Sequence, residues 1–133
     1  MSTLTDIRKL IYKRFVTQWG DASIYTFDNE DFKPSRDQWV RLSVRNNSSV
    51  QETLGTTGNR SYLRKGSIYI QIFSKIGTGV KESDLLCDLA RTIFEGVTFN
   101  DIRCYDAFVR EGIDDVPWKQ TIAEIQFEYN QTK

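Results

Sequence analysis

The sequence predicts an α+β domain, a mostly antiparallel β-sheet with two amphipathic helices packed on one face. Two segments, one near the N-terminus and one over residues 80–95, repeat apolar residues at helical spacing. Several other segments alternate apolar and polar residues, as half-buried strands do. These strands follow one another through short connections, which favours antiparallel pairing, and two helices suffice to cover one face. At 133 residues the chain suits a single domain, 1–133, with a modest core.

The elements follow in order. "STLTDIRKLIYKRFVTQWG" reads as a helix with Leu4, Ile7, Leu10, Ile11 and Phe15 on one side. Ser2, Thr3 or Thr5 can accept bonds from its first N–H groups, and Gly20 can end it. "SIYTF" is a short strand, and "DNEDFKPSRDQ" a polar loop in which Pro34 lacks the donor of a central strand. In "WVRLSVRN", Val40, Leu42 and Val44 face one way while Trp39, Arg41, Ser43 and Arg45 face the other. "SVQETL" is expected to be the partner of that strand, with "GTTGN" a turn or flexible loop. "RSYLRKGSIYIQIFS" returns as a strand interrupted or bent at Gly66. Val80 to Glu95 forms the second helix, with a stripe of Leu85, Leu86, Leu89, Ala90 and Ile93. Glu82 and Asp84 suit its first turn, and Gly96 its end. "DIRCYDAFV" and "WKQTIAEIQFEY" complete the sheet, and in the second Ala123, Ile125, Phe127 and Tyr129 alternate with Glu124, Gln126 and Glu128.

Composition narrows the chemistry. Eight Phe, six Tyr and three Trp against two prolines belong to a folded chain. No apolar run is long enough to span a bilayer, and no apolar leader segment is visible, so a protein that stays in the cytoplasm where it is made, with no membrane partner, is expected. Cys87 and Cys104 read as buried free thiols. The absence of histidine removes Ser-His-Asp and Cys-His nucleophilic systems and leaves no convincing zinc site.

Three chemical readings can be weighed. Gly77-Thr78-Gly79 lies between a strand and a helix, where dinucleotide-binding turns are built. The third glycine of G-x-G-x-x-G is missing, however, and Glu82 lies where a phosphate would approach. The two glycines read as a corner. Asp114, Asp115 and Glu124-Ile125-Gln126 loosely follow a metal-nuclease D…E-x-K pattern, but Gln126 replaces the lysine, and Glu124 and Glu128 fit the polar face of a strand. Finally, Trp39, Arg41, Arg45, Arg60, Tyr62, Arg64 and Lys65 could form a basic, aromatic sheet face for single-stranded nucleic acid, although the net charge is zero. No cofactor, no metal and no catalytic residue is expected.

Charge is unevenly placed. From Ser35 to Lys81 there are eight basic residues and two acids, whereas Glu82 to Glu128 holds eleven acids and four basic residues. Surfaces of opposite sign on one subunit can join head to tail, and such contacts close into a ring when the rotation permits.

"LGTTGNRSYLRKGSIYIQIFSKIGTGVKESDLLCDLARTIFEG" resembles the tail terminator (tail-completion) family of long-tailed bacteriophages, of the minor tail protein U type. The matching features are Gly55 and Gly58 before Arg60, then Arg64, Gly66, Gln71-Ile72-Phe73, Gly77-x-Gly79, Asp84, Arg91 and Phe94-Glu95-Gly96. "VPWKQTIAEIQFEY" is similar to that family's final strand. The resemblance implies a structural virion protein, a homo-oligomer in the form of a hexameric ring. Such a ring caps the tail tube, ends its polymerisation and offers a surface for a head-completion or connector protein. It also implies a place in the virion tail, assembly in the host bacterial cytoplasm, and no specific nucleic acid beyond DNA passing through the ring. The expected ring contact pairs Arg41, Arg45, Arg60, Arg64 and Lys65 with Asp101, Asp106, Glu111, Asp114 and Asp115. "GTTGNR" is a loop suited to ordering on contact with the tube or a neighbour.

Overall fold

A computed structural model describes residues 3–27, 38–77, 80–113 and 118–132. Helix α1 spans Leu4–Trp19. Strands β1 (Ile24–Phe27), β2 (Trp39–Gln51) and β3 (Ser61–Lys75) precede helix α2 (Lys81–Phe94). Strands β4 (Thr98–Phe99), β5 (Ile102–Glu111) and β6 (Trp118–Thr132) follow it. The six strands form one sheet in the order β1-β2-β3-β6-β5-β4. Every neighbouring pair is antiparallel except β1 with β2, which is parallel. The α+β architecture therefore matches expectation, with one parallel pair at the margin.

Helix α1 starts with a capping box. The Thr3 hydroxyl accepts from Asp6 N–H, and the Asp6 carboxylate accepts from Thr3 N–H. These bonds hold the Asp6 carboxyl below its usual range. The helix ends at Gly20, whose φ of 57° suits glycine. Ile7, Ile11, Phe15 and Trp19 are its buried stripe. Helix α2 buries Leu86, Cys87, Ala90, Ile93 and Phe94. Leu85, expected in that stripe, is exposed because it sits one residue ahead of the inward line through Leu86, Ala90 and Ile93. The Arg14 side chain ties the helices together by donating to the Ile93 carbonyl at 2.8 Å.

Both helices pack on one face of the sheet. The shared core takes Val40, Leu42 and Val44 from β2, Ile68, Ile70 and Ile72 from β3, and Ala123, Ile125, Phe127 and Tyr129 from β6. Tyr12 stacks on Phe27 at 4.3 Å, which fixes α1 above β1. The two cysteines are free and buried, and burial pushes the Cys87 thiol up to about 11 and Cys104 to about 12.

Two strand expectations are corrected. Ser49, Val50 and Gln51 continue β2 past a register shift between Asn46 and Ser48, so "SVQETL" is not its partner. Strand β3 runs through Gly66 without a break, and the irregularity lies opposite, in β2. A Cβ at Gly66 would meet the Arg45 carbonyl oxygen and come within 2.7 Å of the Phe127 ring, so glycine is needed there for close approach. The loop Asp28–Gln38 lies outside the described residues apart from Gln38, as do Thr78 and Gly79 of the Gly77-Thr78-Gly79 corner. Gly77 itself follows β3 with a φ of 93°.

Candidate assembly interface

The sheet face away from the helices is built from the other side of each strand's alternation. Its register brings matched rows together. One row joins Arg41, Gln71, Ile122 and Arg110, and the next joins Ser43, Tyr69, Glu124 and Phe108. Lys65, Glu128 and Arg103 form another row nearer the far end.

At one end of this face, Trp39 stacks on Phe73 at 4.0 Å and meets Trp118 edge-on at 6.2 Å. These rings are only 4–6% exposed. A stacking platform for single-stranded nucleic acid needs exposed rings, so the largest aromatic group of the face is already committed to packing. Arg41 lies 5.3 Å from the Trp39 ring, within cation–π range.

The acids of β6 are matched by arginines of β5. Arg103 Nε lies 3.1 Å from Glu128 Oε1, and an Arg103 terminal nitrogen donates to Asn130 Oδ1 at 2.8 Å. Tyr105 also donates its hydroxyl to Glu128. The Tyr105 bond, with Arg103 beside it, holds the Glu128 carboxyl below the usual range, while the same bond raises Tyr105. Arg110 lies 3.5 Å from Glu124. Glu124 is thus a cross-strand ion-pair partner. Among the described residues no group of three His, Cys, Asp or Glu side chains could hold a metal ion.

The residues expected at the contact divide between surfaces. Arg41, Arg45 and Lys65 belong to the open face, on β2 and β3. Arg64 does not join them. It pairs in register with Tyr129, shares the alternation of Ile68 and Ile70, and bonds Gln131 and Ser49 on the helix side. Arg60 belongs to the β2–β3 loop, where its Nε donates to the Gly55 carbonyl at 2.9 Å. On the acidic side, Asp101 lies in the β4–β5 turn, Asp106 in the β5 irregularity between Cys104 and Ala107, and Glu111 at the end of β5. All three are exposed, and Glu111 reaches Lys119 at 3.8 Å. Asp114 and Asp115 lie outside the described residues. Strand order puts β2 near one margin of the sheet and β4–β5 at the other. Sequence reasoning missed the pairing of Arg103 and Arg110 with β6 glutamates. Their opposite charges were visible, but the register that joins them across two strands was not.

The sequence model of the phage tail terminator protein family matches residues 6–127. The chain belongs to the phage tail terminator family. This match begins within α1 and ends within β6, so it takes in β1 to β5 and α2 whole and most of α1 and β6. Fourteen chains among solved structures match as well. One of them aligns with a TM-score of 0.63 at 11% identity, covering 95% of this chain and 96% of its own, a likeness that shows the fold alone. No curated protein matches by sequence. A tail terminator is a structural protein of the phage tail, and that is this chain's role at its broadest. No described helix is long and apolar enough to cross a membrane.

Proposed function

We propose that this tail terminator caps the tail tube as a closed ring, most simply a hexamer, that ends tube polymerisation and presents a surface to a head-completion or connector protein. The observation that carries the reading is the family match over residues 6–127. The distribution of charge supports the ring. Strand β2 contains Arg41 and Arg45 and no acid, while exposed Asp101, Asp106 and Glu111 lie toward the opposite margin. A head-to-tail contact needs two different, complementary surfaces on one subunit. Within the original set of ten, Arg41, Arg45 and Lys65 against Asp101, Asp106 and Glu111 are the preferred pairing. Arg60 and Arg64 are assigned instead to holding the β2–β3 end of the sheet, and Asp114 and Asp115 stay as candidates for the acidic side.

The role needs no catalysis and no cofactor, and assembly takes place in the host cytoplasm. Adding the purified protein to growing tail tubes tests it. Negative-stain microscopy is expected to find a ring at one tube end and no further elongation, whereas tubes that continue to lengthen past saturating protein contradict capping.

A further inference from the structure

Two strands of this sheet outrun their neighbours. Strand β1 pairs with β2 only from Trp39 to Leu42, yet β2 continues to Gln51. Strand β4 pairs with β5 only at Ile102 and Arg103, yet β5 continues to Glu111. The turn after α2 serves the first part of that edge: Cys104 N–H donates to the Val97 carbonyl, Gly96 N–H to the Tyr105 carbonyl, and Ala107 N–H to Glu95 Oε2. Among the described residues no strand then pairs with the outer sides of Ser43–Gln51 or Phe108–Glu111. Such a row of backbone donors and acceptors is a template for another strand.

We infer that adjacent subunits join edge to edge, the outer side of β5 in one copy adding to the outer side of β2 in the next. This rests on the ring proposed above and specifies its seam. Four features favour a second copy as the occupant. The two edges lie at opposite margins of one sheet, as a head-to-tail contact requires. Charge favours the pairing: the open run of β2 bears Arg45 and no acid, while β5 presents exposed Asp106 and Glu111, the latter also 3.8 Å from Lys119, and its Arg110 lies 3.5 Å from Glu124. Both edges expose apolar side chains on the open face, Phe108 at 51% and Val50 at 55%. Lastly, β5 runs opposite to β2 within the subunit, since the antiparallel partners β3 and β6 lie between them. A ring axis along the strands preserves each direction, so β5 meets the next β2 antiparallel, as in most of this sheet. The β2 irregularity at Asn46–Ser48 leaves Ser43–Asn46 and Ser48–Gln51, each as long as the open run Phe108–Glu111.

Gly112 N–H donates to the Gln120 carbonyl, so by antiparallel alternation Val109 and Glu111 turn their N–H groups outward. Hydrogen exchange of dilute monomer and assembled ring reads this directly. On assembly, the amides of Val109, Glu111 and the outer side of Ser43–Gln51 are expected to slow by on the order of tenfold or more. Val109→Pro, which removes an outward donor, is expected to leave a folded monomer that no longer assembles. Rings whose edge amides exchange at the monomer rate, or Val109→Pro rings like the wild type, overturn the seam while leaving the ring intact. Edge protection that appears only with tail tubes, in subunits that never contact one another, would assign the edges to the tube and overturn it too. Failure to form rings with or without tubes removes both the ring and its seam.

Discussion

The two faces of this sheet are made by the same strands but follow different rules. The helix-covered face is a continuous apolar layer in which Leu42, Ile70, Ala123 and Ile125 lie in one block with α1 and α2. The open face has one buried aromatic trio at an end and otherwise mixed rows in which arginine, glutamine, tyrosine and glutamate stand beside Ile122 and Phe108. The covered face holds the subunit together. The open face and the two strand margins are the surfaces on which the proposed ring contact is placed.

Substitutions rank accordingly. Phe15 is fully buried and stacks on Trp19 at 4.9 Å, so Phe15→Ala is expected to cost about 3–5 kcal/mol in urea unfolding. Gly66→Ala pushes a methyl against the Arg45 carbonyl and the Phe127 ring and is expected to cost about 1–3 kcal/mol, read in the same assay. Losing the α1 cap in Thr3→Ala should cost about 1 kcal/mol.

On the open face the effects are smaller and depend on pH. Because the folded Glu128 carboxyl is held below its usual range, its contribution to stability is present above the ordinary carboxylate pKa and lost as pH falls through the lowered value. Glu128→Gln is therefore expected to flatten the acid limb of a stability–pH profile, and an unchanged limb would show that Tyr105 and Arg103 do not stabilise the carboxylate. Charge reversals at the exposed Asp101 or Asp106 should change stability least, by about 0.5 kcal/mol or less. If they unfolded the protein, the division of labour between the two faces would be wrong.

This contrast also explains what could be read from the sequence. The covered face was legible because its signal is periodic: Val40, Leu42 and Val44 alternate, and Ile7, Ile11 and Phe15 recur at helical spacing. The cap at Thr3 and the stop at Gly20 were legible for local reasons as well. Pairing was less accessible. Nothing local told that β1 would lie parallel to β2, that Ser49–Gln51 would extend β2 rather than return beside it, or that β4 would exist with only two residues. The contact set was read from charge alone, so it grouped Arg64 with Arg45, although alternation in β3 sends Arg64 to the helix side. The resemblance to tail terminators was legible over the middle of the chain through the order of its glycines and arginines, and the family match extends it to residues 6–127.

The central claim, that oppositely charged margins of one sheet join successive subunits, can be tested by mixing two margin-reversed proteins. One carries Arg41→Glu and Arg45→Glu, the other Asp106→Lys and Glu111→Lys. Native mass spectrometry is expected to find neither variant in rings alone, because each opposes like charges at every contact. An equimolar mixture is expected to restore rings of alternating subunits, since every contact then pairs opposite charges. Rings from either variant alone at wild-type concentration, or a mixture that stays monomeric while the wild type assembles, would contradict the account.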